Sequence, residues 1–104
     1  MQFDVCKNNN PGSQERFPYL LDVQAELLSA LETRVVVPLA PRQSAGRSTL
    51  TGLMPTLEIK GKPYIAVTPQ MAGIPRRDLG ACIGNLSHAR SDIIAALDLL
   101  FTGV

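Results

Sequence analysis

Apolar and polar residues alternate along the first quarter of the chain, which is the pattern of half-buried β-strands. The alternation predicts strands over residues 2–7 and 19–24. The β-branched run Val35-Val36-Val37 predicts a third strand, since such side chains suit a pleated surface. Between the first two strands, the turn-forming residues 8–13 predict a hairpin loop.

The third predicted strand runs into two prolines, Pro38 and Pro41. Proline has no N–H to donate to a neighbouring strand. We therefore expect this strand to end near them or to lie at an edge of the sheet. Residues 41–52 follow with little apolar content and predict a long exposed loop.

The clearest hairpin lies further along the chain, where residues 57–59 and 64–67 read as two strands joined by the turn Lys60-Gly61-Lys62. The proline-bounded residues 69–75 have room for one more strand. Residues 80–84 contain two glycines but lack the spacing of a phosphate-binding loop, and we interpret them as a connector.

An amphipathic helix is predicted from about Ser87 to the end of the chain. Ser87 is a suitable N-cap, and Gly103 is a natural C-terminal stop. The apolar residues recur at spacings of three and four and predict packing on a sheet through one stripe: Ile93, Ile94, Leu97, Leu100 and Phe101. From these residues alone, we interpret the segment as a helix that docks on the sheet and closes the domain, with presentation of its last side chains to a partner as the alternative.

Five or more short strands followed by one helix predict a mainly β fold, a small antiparallel barrel or sheet with a C-terminal α-helix packed on it. At 104 residues, 45% of them apolar, the chain predicts a single domain over residues 1–104.

Charge and composition narrow the functional classes. Ten basic and nine acidic residues give a formal net charge of +1, which leaves no broad basic face for direct nucleic-acid binding. We find no secretory signal and no run of about 20 apolar residues, so we expect a cytoplasmic protein that does not enter a membrane. Cys6 and Cys82 form no short motif, and in that compartment free thiols are expected.

Candidate chemistry is sparse. The single histidine, His88, is expected to be an exposed first-turn residue rather than a catalytic base, and no ligand spacing predicts a metal site. Asp22 and Glu26 are interpreted as solvated positions at a strand end, with an acid–base pair as the alternative. The cluster Arg76-Arg77-Asp78 is interpreted as a solvated turn, with contact to RNA or an acidic peptide as the alternative.

Several segments in this order resemble the CcdB family of toxins from type II toxin–antitoxin modules. They span nearly the whole chain: Met1-Gln2-Phe3, Leu21-Asp22-Val23-Gln24, Val36-Val37-Pro38-Leu39-Ala40, Met71-Ala72, Ile74-Pro75, Leu86-Ser87-His88, Asp92-Ile93 and Phe101-Thr102-Gly103-Val104.

The resemblance implies a homodimer of small SH3-like barrels that binds the A subunit of DNA gyrase. Members of the family trap the complex in which gyrase is covalently joined to cleaved DNA. They perform no covalent chemistry and use no cofactor, so the chain is not expected to be an enzyme. A CcdA-like antitoxin, whose disordered segment folds along the toxin, holds them inactive.

Carried over by position, the resemblance implies a gyrase-binding surface made of Gln2, Phe3, Ala25, Leu27, Asp98, Phe101, Thr102, Gly103 and Val104. The best-known pattern has tryptophan before the final glycine, where this chain has Thr102. Two alternatives stay open. One is an attenuated chromosomal relative that binds antitoxin without poisoning gyrase, and the other is an mRNA endonuclease of the MazF or Kid type, which shares the barrel fold.

Overall fold

The computed structural model describes residues 1–44 and 52–103, and its strands form one antiparallel sheet curled into a half-barrel. The sheet order is β4-β5-β3-β2-β1-β7, and β6 pairs with β3 beside this path. The elements are β1 (Asp4–Asn8), β2 (Tyr19–Asp22), β3 (Thr33–Pro41), β4 (Thr56–Ile59), β5 (Lys62–Ala66), β6 (Ala72–Pro75), β7 (Leu79–Asn85) and α1 (Arg90–Thr102).

Both predicted hairpins and the extra strand at residues 69–75 are confirmed, because β1 pairs with β2, β4 pairs with β5, and β6 pairs with β3. The β4–β5 turn has two residues with positive φ, Lys60 at 52° and Gly61 at 78°. Positive φ at both positions defines the type I′ turn, whose twist matches that of the flanking strands. This turn sets the register in which Ile59 faces Lys62.

β3 ends at Pro41, as predicted, but it runs through Pro38 inside the sheet instead of ending or lying at an edge there. The carbonyl of Val35 accepts a hydrogen bond from Val23 on the β2 side, whereas that of Pro38 accepts one from Val67 on the other side. On that other side, β6 pairs as far as Val36 and β5 pairs from Leu39. The nitrogen of Pro38 therefore faces the gap between two partner strands, where no ladder N–H is needed.

The interpretation of residues 80–84 as a connector is also wrong, because they lie within β7, which pairs with β1. Gly80 allows this pairing, since a Cβ there would lie 2.9 Å from the backbone oxygen of Lys7. Gly80 thus serves close strand contact, whereas a Cβ at Gly84 would meet no atom within 4 Å.

The expectation of free thiols is wrong as well, because Cys6 and Cys82 form a disulfide. They lie 76 residues apart in sequence but are direct partners in the β1–β7 register. The disulfide links the buried Cys6 of β1 to the exposed Cys82 of β7. Only the strand pairing, and no local motif, brings the two together.

The core lies between the inner face of the sheet and α1. Ile93 and Ala96 are the buried residues of the helix, while Phe101 stays 65% exposed and does not join the packed stripe. A cluster of buried apolar residues forms this core: Phe3, Val5, Leu21, Val23, Val37, Leu39, Leu57, Ile59, Ala66, Leu86 and Ile93.

The two ends of the helix differ from each other in how well the sequence predicts them. Ser87 is not the N-cap, because residues Ser87–Ala89 form a 3-10 turn before the helix begins, and Ala89 precedes the first helical residue. The Oδ1 atom of Asn85 accepts the Ser87 N–H instead, at 2.8 Å. Gly103 is confirmed as the stop, with a left-handed φ of 77°.

Of the predicted loop over residues 41–52, residues 45–51 lie outside the described part of the chain, and Arg42–Ser44 form a 3-10 turn. Across the described ranges, no helix combines the length and apolar character that a membrane crossing requires.

Candidate partner-binding surface

The predicted surface residues fall into two groups in the structure. The N-terminal group contains Gln2, Phe3, Ala25 and Leu27, and the helix-end group contains Asp98, Phe101, Thr102 and Gly103. Val104 lies outside the described residues. No hydrogen bond within residues 1–44 and 52–103 joins one group to the other.

Gln2 is held in place by three hydrogen bonds. Its side-chain amide donates to the carbonyl of Val23 at 3.3 Å, and its own carbonyl accepts from the Asn85 amide at 3.1 Å. Its backbone N–H donates to the carboxylate of Glu26. Gln2 therefore connects the start of the chain both to β7 and to the segment that follows β2.

Phe3 is buried, and its side chain belongs to the core rather than to the exposed surface. Its φ is 69°, a left-handed conformation that bulky side chains rarely adopt. Backbone hydrogen bonds on both sides hold it there: its N–H donates to the carbonyl of Asp22, and its carbonyl accepts from Leu86 at 2.8 Å. The held backbone of Phe3 thereby fixes the position of the adjacent Gln2.

The segment between β2 and β3 carries the most exposed apolar side chains. We call residues 25–32 the leucine loop; all eight residues are exposed, and Glu26–Leu28 form a 3-10 turn. Leu27 is 93% exposed, and Leu28 and Leu31 are about half exposed. Large apolar side chains concentrated in one exposed segment are typical of a recognition surface.

Sequence reasoning placed Leu27 on this surface but missed Leu28 and Leu31. The signal that could have found them is three leucines within five residues of a segment between two strands. Such a segment is too short to form a stable helix that would bury them.

A buried ion pair lies below the leucine loop. The expectation that Asp22 is solvated is wrong: it is 1% exposed, and one of its carboxylate oxygens lies 2.6 Å from Nη2 and 3.1 Å from Nε of the buried Arg34. Its other oxygen accepts the backbone N–H of Gln24 at 3.0 Å. Glu26 stays exposed. Both charges of the buried pair are compensated, so the pair can order the polypeptide around it.

The helix-end group is held by hydrogen bonds within its own last turn. The Gly103 N–H donates to the carbonyl of Leu99 at 3.0 Å, and the Thr102 hydroxyl donates to that of Asp98 at 2.8 Å. Phe101 projects from this turn with most of its surface open to solvent. The arrangement presents an aromatic side chain on a rigid helical support.

The described residues contain no group of three or more histidine, cysteine, aspartate or glutamate side chains that could hold a metal ion. His88 is exposed on the 3-10 turn before α1, as expected. Burial, together with the neighbouring Tyr19, raises the pKa of Tyr64 above its ordinary value. The Tyr19 and Tyr64 rings pack edge to face, with centroids 5.4 Å apart.

A half-barrel with one C-terminal helix, an exposed loop of leucines and an exposed aromatic tip fits a small protein that recognises another macromolecule by surface contact. The family model described as CcdB protein matches residues 2–103, and the chain belongs to the CcdB family. Membership supports the assignment as a toxin of a toxin–antitoxin module.

Proposed function

We propose that this protein is the toxin of a type II toxin–antitoxin module, acting in the cytoplasm as a homodimer. It binds the A subunit of DNA gyrase and traps the enzyme in its covalent complex with cleaved DNA. A CcdA-like antitoxin neutralises it. The observation that carries the proposal is Phe101, 65% exposed on the last helical turn of a chain of the CcdB family.

The mechanism is binding rather than bond making. A large aromatic side chain that is exposed in the free protein gains free energy when a partner covers it, and aromatic anchors dominate many interfaces. In a homodimer, each tip occurs twice around a twofold axis, which suits a partner with its own twofold axis. An inhibitor of this type stabilises one state of its target by binding that state more tightly than the others.

Thr102 favours the attenuated relative as a second candidate. A tryptophan at that position would offer about 150–250 Å² of contact area, which threonine lacks. In the gyrase-binding proposal, Phe101 and the leucine loop supply the apolar contact instead. In the attenuated alternative, the protein retains antitoxin binding, and its contact with gyrase is too weak to trap the cleavage complex.

The test is a DNA cleavage assay with purified protein and gyrase, read as linear DNA and repeated with the antitoxin. Linear DNA that disappears when antitoxin is added supports the proposal. Phe101→Ala should strongly reduce the linear product at equal protein concentration, whereas Ser91→Ala, an exposed change at the other end of α1, should not. Antitoxin binding without linear DNA at micromolar protein would instead support the attenuated relative.

A further inference from the structure

The leucine loop has no buried residue to hold its shape. Each of residues 25–32 is exposed, and the 3-10 turn within the loop buries no side chain. Burial of apolar surface is what usually fixes a segment against its conformational entropy. Hydrogen bonds to groups outside the loop must therefore supply most of the interactions that hold the loop in one conformation.

The side chain of Gln24 makes one such hydrogen bond, to the middle of the loop. Gln24 is only 6% exposed, and its side-chain Nε2 donates to the carbonyl of Leu28 at 2.8 Å. Its Oε1 accepts the backbone N–H of Val35 at 3.0 Å. One buried amide thus connects β3 to the middle of the loop, and the ion pair of Asp22 and Arg34 orders the backbone beside it.

Arg76 holds the loop from a second side. Its guanidinium donates to the carbonyl of Ser29, and its backbone N–H donates to that of Glu32 at 2.9 Å. The loop's own bonds are short-range, such as Leu28 N–H to the carbonyl of Ala25 at 2.9 Å. A turn of this kind is marginal in water unless other contacts support it.

We propose that Gln24, assisted by Arg76, is a positioning residue that holds the leucine loop in its binding shape, with Leu27, Leu28 and Leu31 presented together. The inference rests on the proposed function in one respect, that the partner is the A subunit of gyrase. If the loop is released, binding must order it again, and the apparent affinity falls with the fraction of molecules in the competent shape.

Gln24→Glu tests the inference directly. The new side chain keeps an acceptor for Val35 but places a carboxylate oxygen against the carbonyl of Leu28. We expect the amides of Leu28, Ser29 and Leu31 to exchange with solvent about tenfold faster by NMR, which corresponds to one lost hydrogen bond. Affinity for the gyrase A subunit should fall by a similar factor.

Asn8→Asp is the matched control, because Asn8, at the end of β1, makes the same kinds of hydrogen bond beside another loop. It is also 6% exposed, its amide donates to the carbonyl of Phe17 at 2.9 Å, and its Oδ1 accepts the N–H of Asn10 at 2.9 Å. We expect a comparable fall in melting temperature from both variants, but faster exchange in the leucine loop and weaker gyrase binding only from Gln24→Glu.

A second pair of variants covers the case in which Gln24→Glu does not fold. Arg76→Ala removes an exposed side chain that holds Ser29, and Arg77→Ala removes its exposed neighbour, for which no hydrogen bond is found within the described ranges. We expect Arg76→Ala to speed exchange in the leucine loop severalfold, and Arg77→Ala to leave it unchanged.

Unchanged loop exchange in both Gln24→Glu and Arg76→Ala would overturn the positioning role. Faster exchange with full gyrase affinity would also overturn it, since the held shape would then not serve binding. If the unaltered protein does not bind gyrase, the proposed function fails, while the exchange rates still decide whether Gln24 holds the loop.

Discussion

The leucine loop and the helix end both expose large apolar side chains, but they are held in different ways. The helix end is fixed by hydrogen bonds from Gly103 and Thr102 to carbonyls of its own last turn. The leucine loop depends on side chains outside it, such as Gln24 and Arg76. An exposed apolar surface can thus be held either by hydrogen bonds within its own segment or by side chains outside that segment.

This difference predicts where mutations act. Changes near the helix end should alter binding with little effect on the rest of the protein, since few long-range contacts support that turn. Changes below the leucine loop should alter stability and binding together, because the same buried groups serve both. Four substitutions test the contrast, from the largest effect to the smallest.

Asp22→Ala should have the largest effect. It leaves the buried guanidinium of Arg34 without its carboxylate partner, and breaking such a pair costs about 3–5 kcal/mol of unfolding free energy. Urea denaturation measures the loss. Asp92→Ala, an exposed change on α1, should cost less than about 1 kcal/mol. A similar small loss for Asp22→Ala would show that the ion pair does not support the loop side of the molecule.

Cys82→Ser should lower the unfolding free energy by about 2–4 kcal/mol, because the disulfide closes a long loop in the unfolded chain. The bond joins β1, which follows Gln2, to β7, which precedes α1. Thermal unfolding with and without a reductant gives the comparison. The reductant should lower the melting temperature of the unaltered protein and leave that of the variant unchanged.

Phe101→Ala should weaken binding to the gyrase A subunit by about thirtyfold, or about 2 kcal/mol, which is typical of an aromatic hot spot. Its unfolding free energy should change by less than about 0.5 kcal/mol, since the side chain is mostly exposed. Isothermal titration and urea denaturation report the two quantities. A large loss of stability would contradict the view that the helix end is independent of the core.

Gly103→Ala should have the smallest effect, about 1 kcal/mol of unfolding free energy, from the positive φ alone. No atom lies within 4 Å of the added Cβ, so no clash contributes. Gly73→Ala is the matched control, because it has equal space and no positive φ. Equal effects at both glycines would show that the left-handed stop contributes nothing to the helix end.

Elements specified by nearby residues were predictable from the sequence. The Lys60-Gly61 turn and the left-handed stop at Gly103 depend on adjacent residues, and the strands and helix follow from local periodicity. The β7 strand, the disulfide and the Asp22–Arg34 pair depend on pairings between distant segments, for which one sequence offers no local signal.

The candidate site follows the same division. Its positions came from a family resemblance, and the exposure of Phe101 and Leu27 agrees with residues that meet a partner. The bonds that shape the leucine loop could not be predicted, because the amide of Gln24 reaches Leu28 and Val35 only after β2 and β3 have paired. From the sequence alone, polar residues near a strand are interpreted as solvated, and only the β2–β3 pairing shows which of them are buried.

The proline inside β3 also restricts how the sheet can misassemble. A slip of two residues keeps every apolar side chain on its proper face, so the alternating pattern alone cannot reject it. Such a slip would move Pro38 to the place of Val36 or Ala40, opposite Ala72 of β6 or Ile65 of β5. The ring nitrogen would then face a strand that requires a donor. Pro38 therefore disfavours the two-residue slips that the hydrophobic pattern alone would allow.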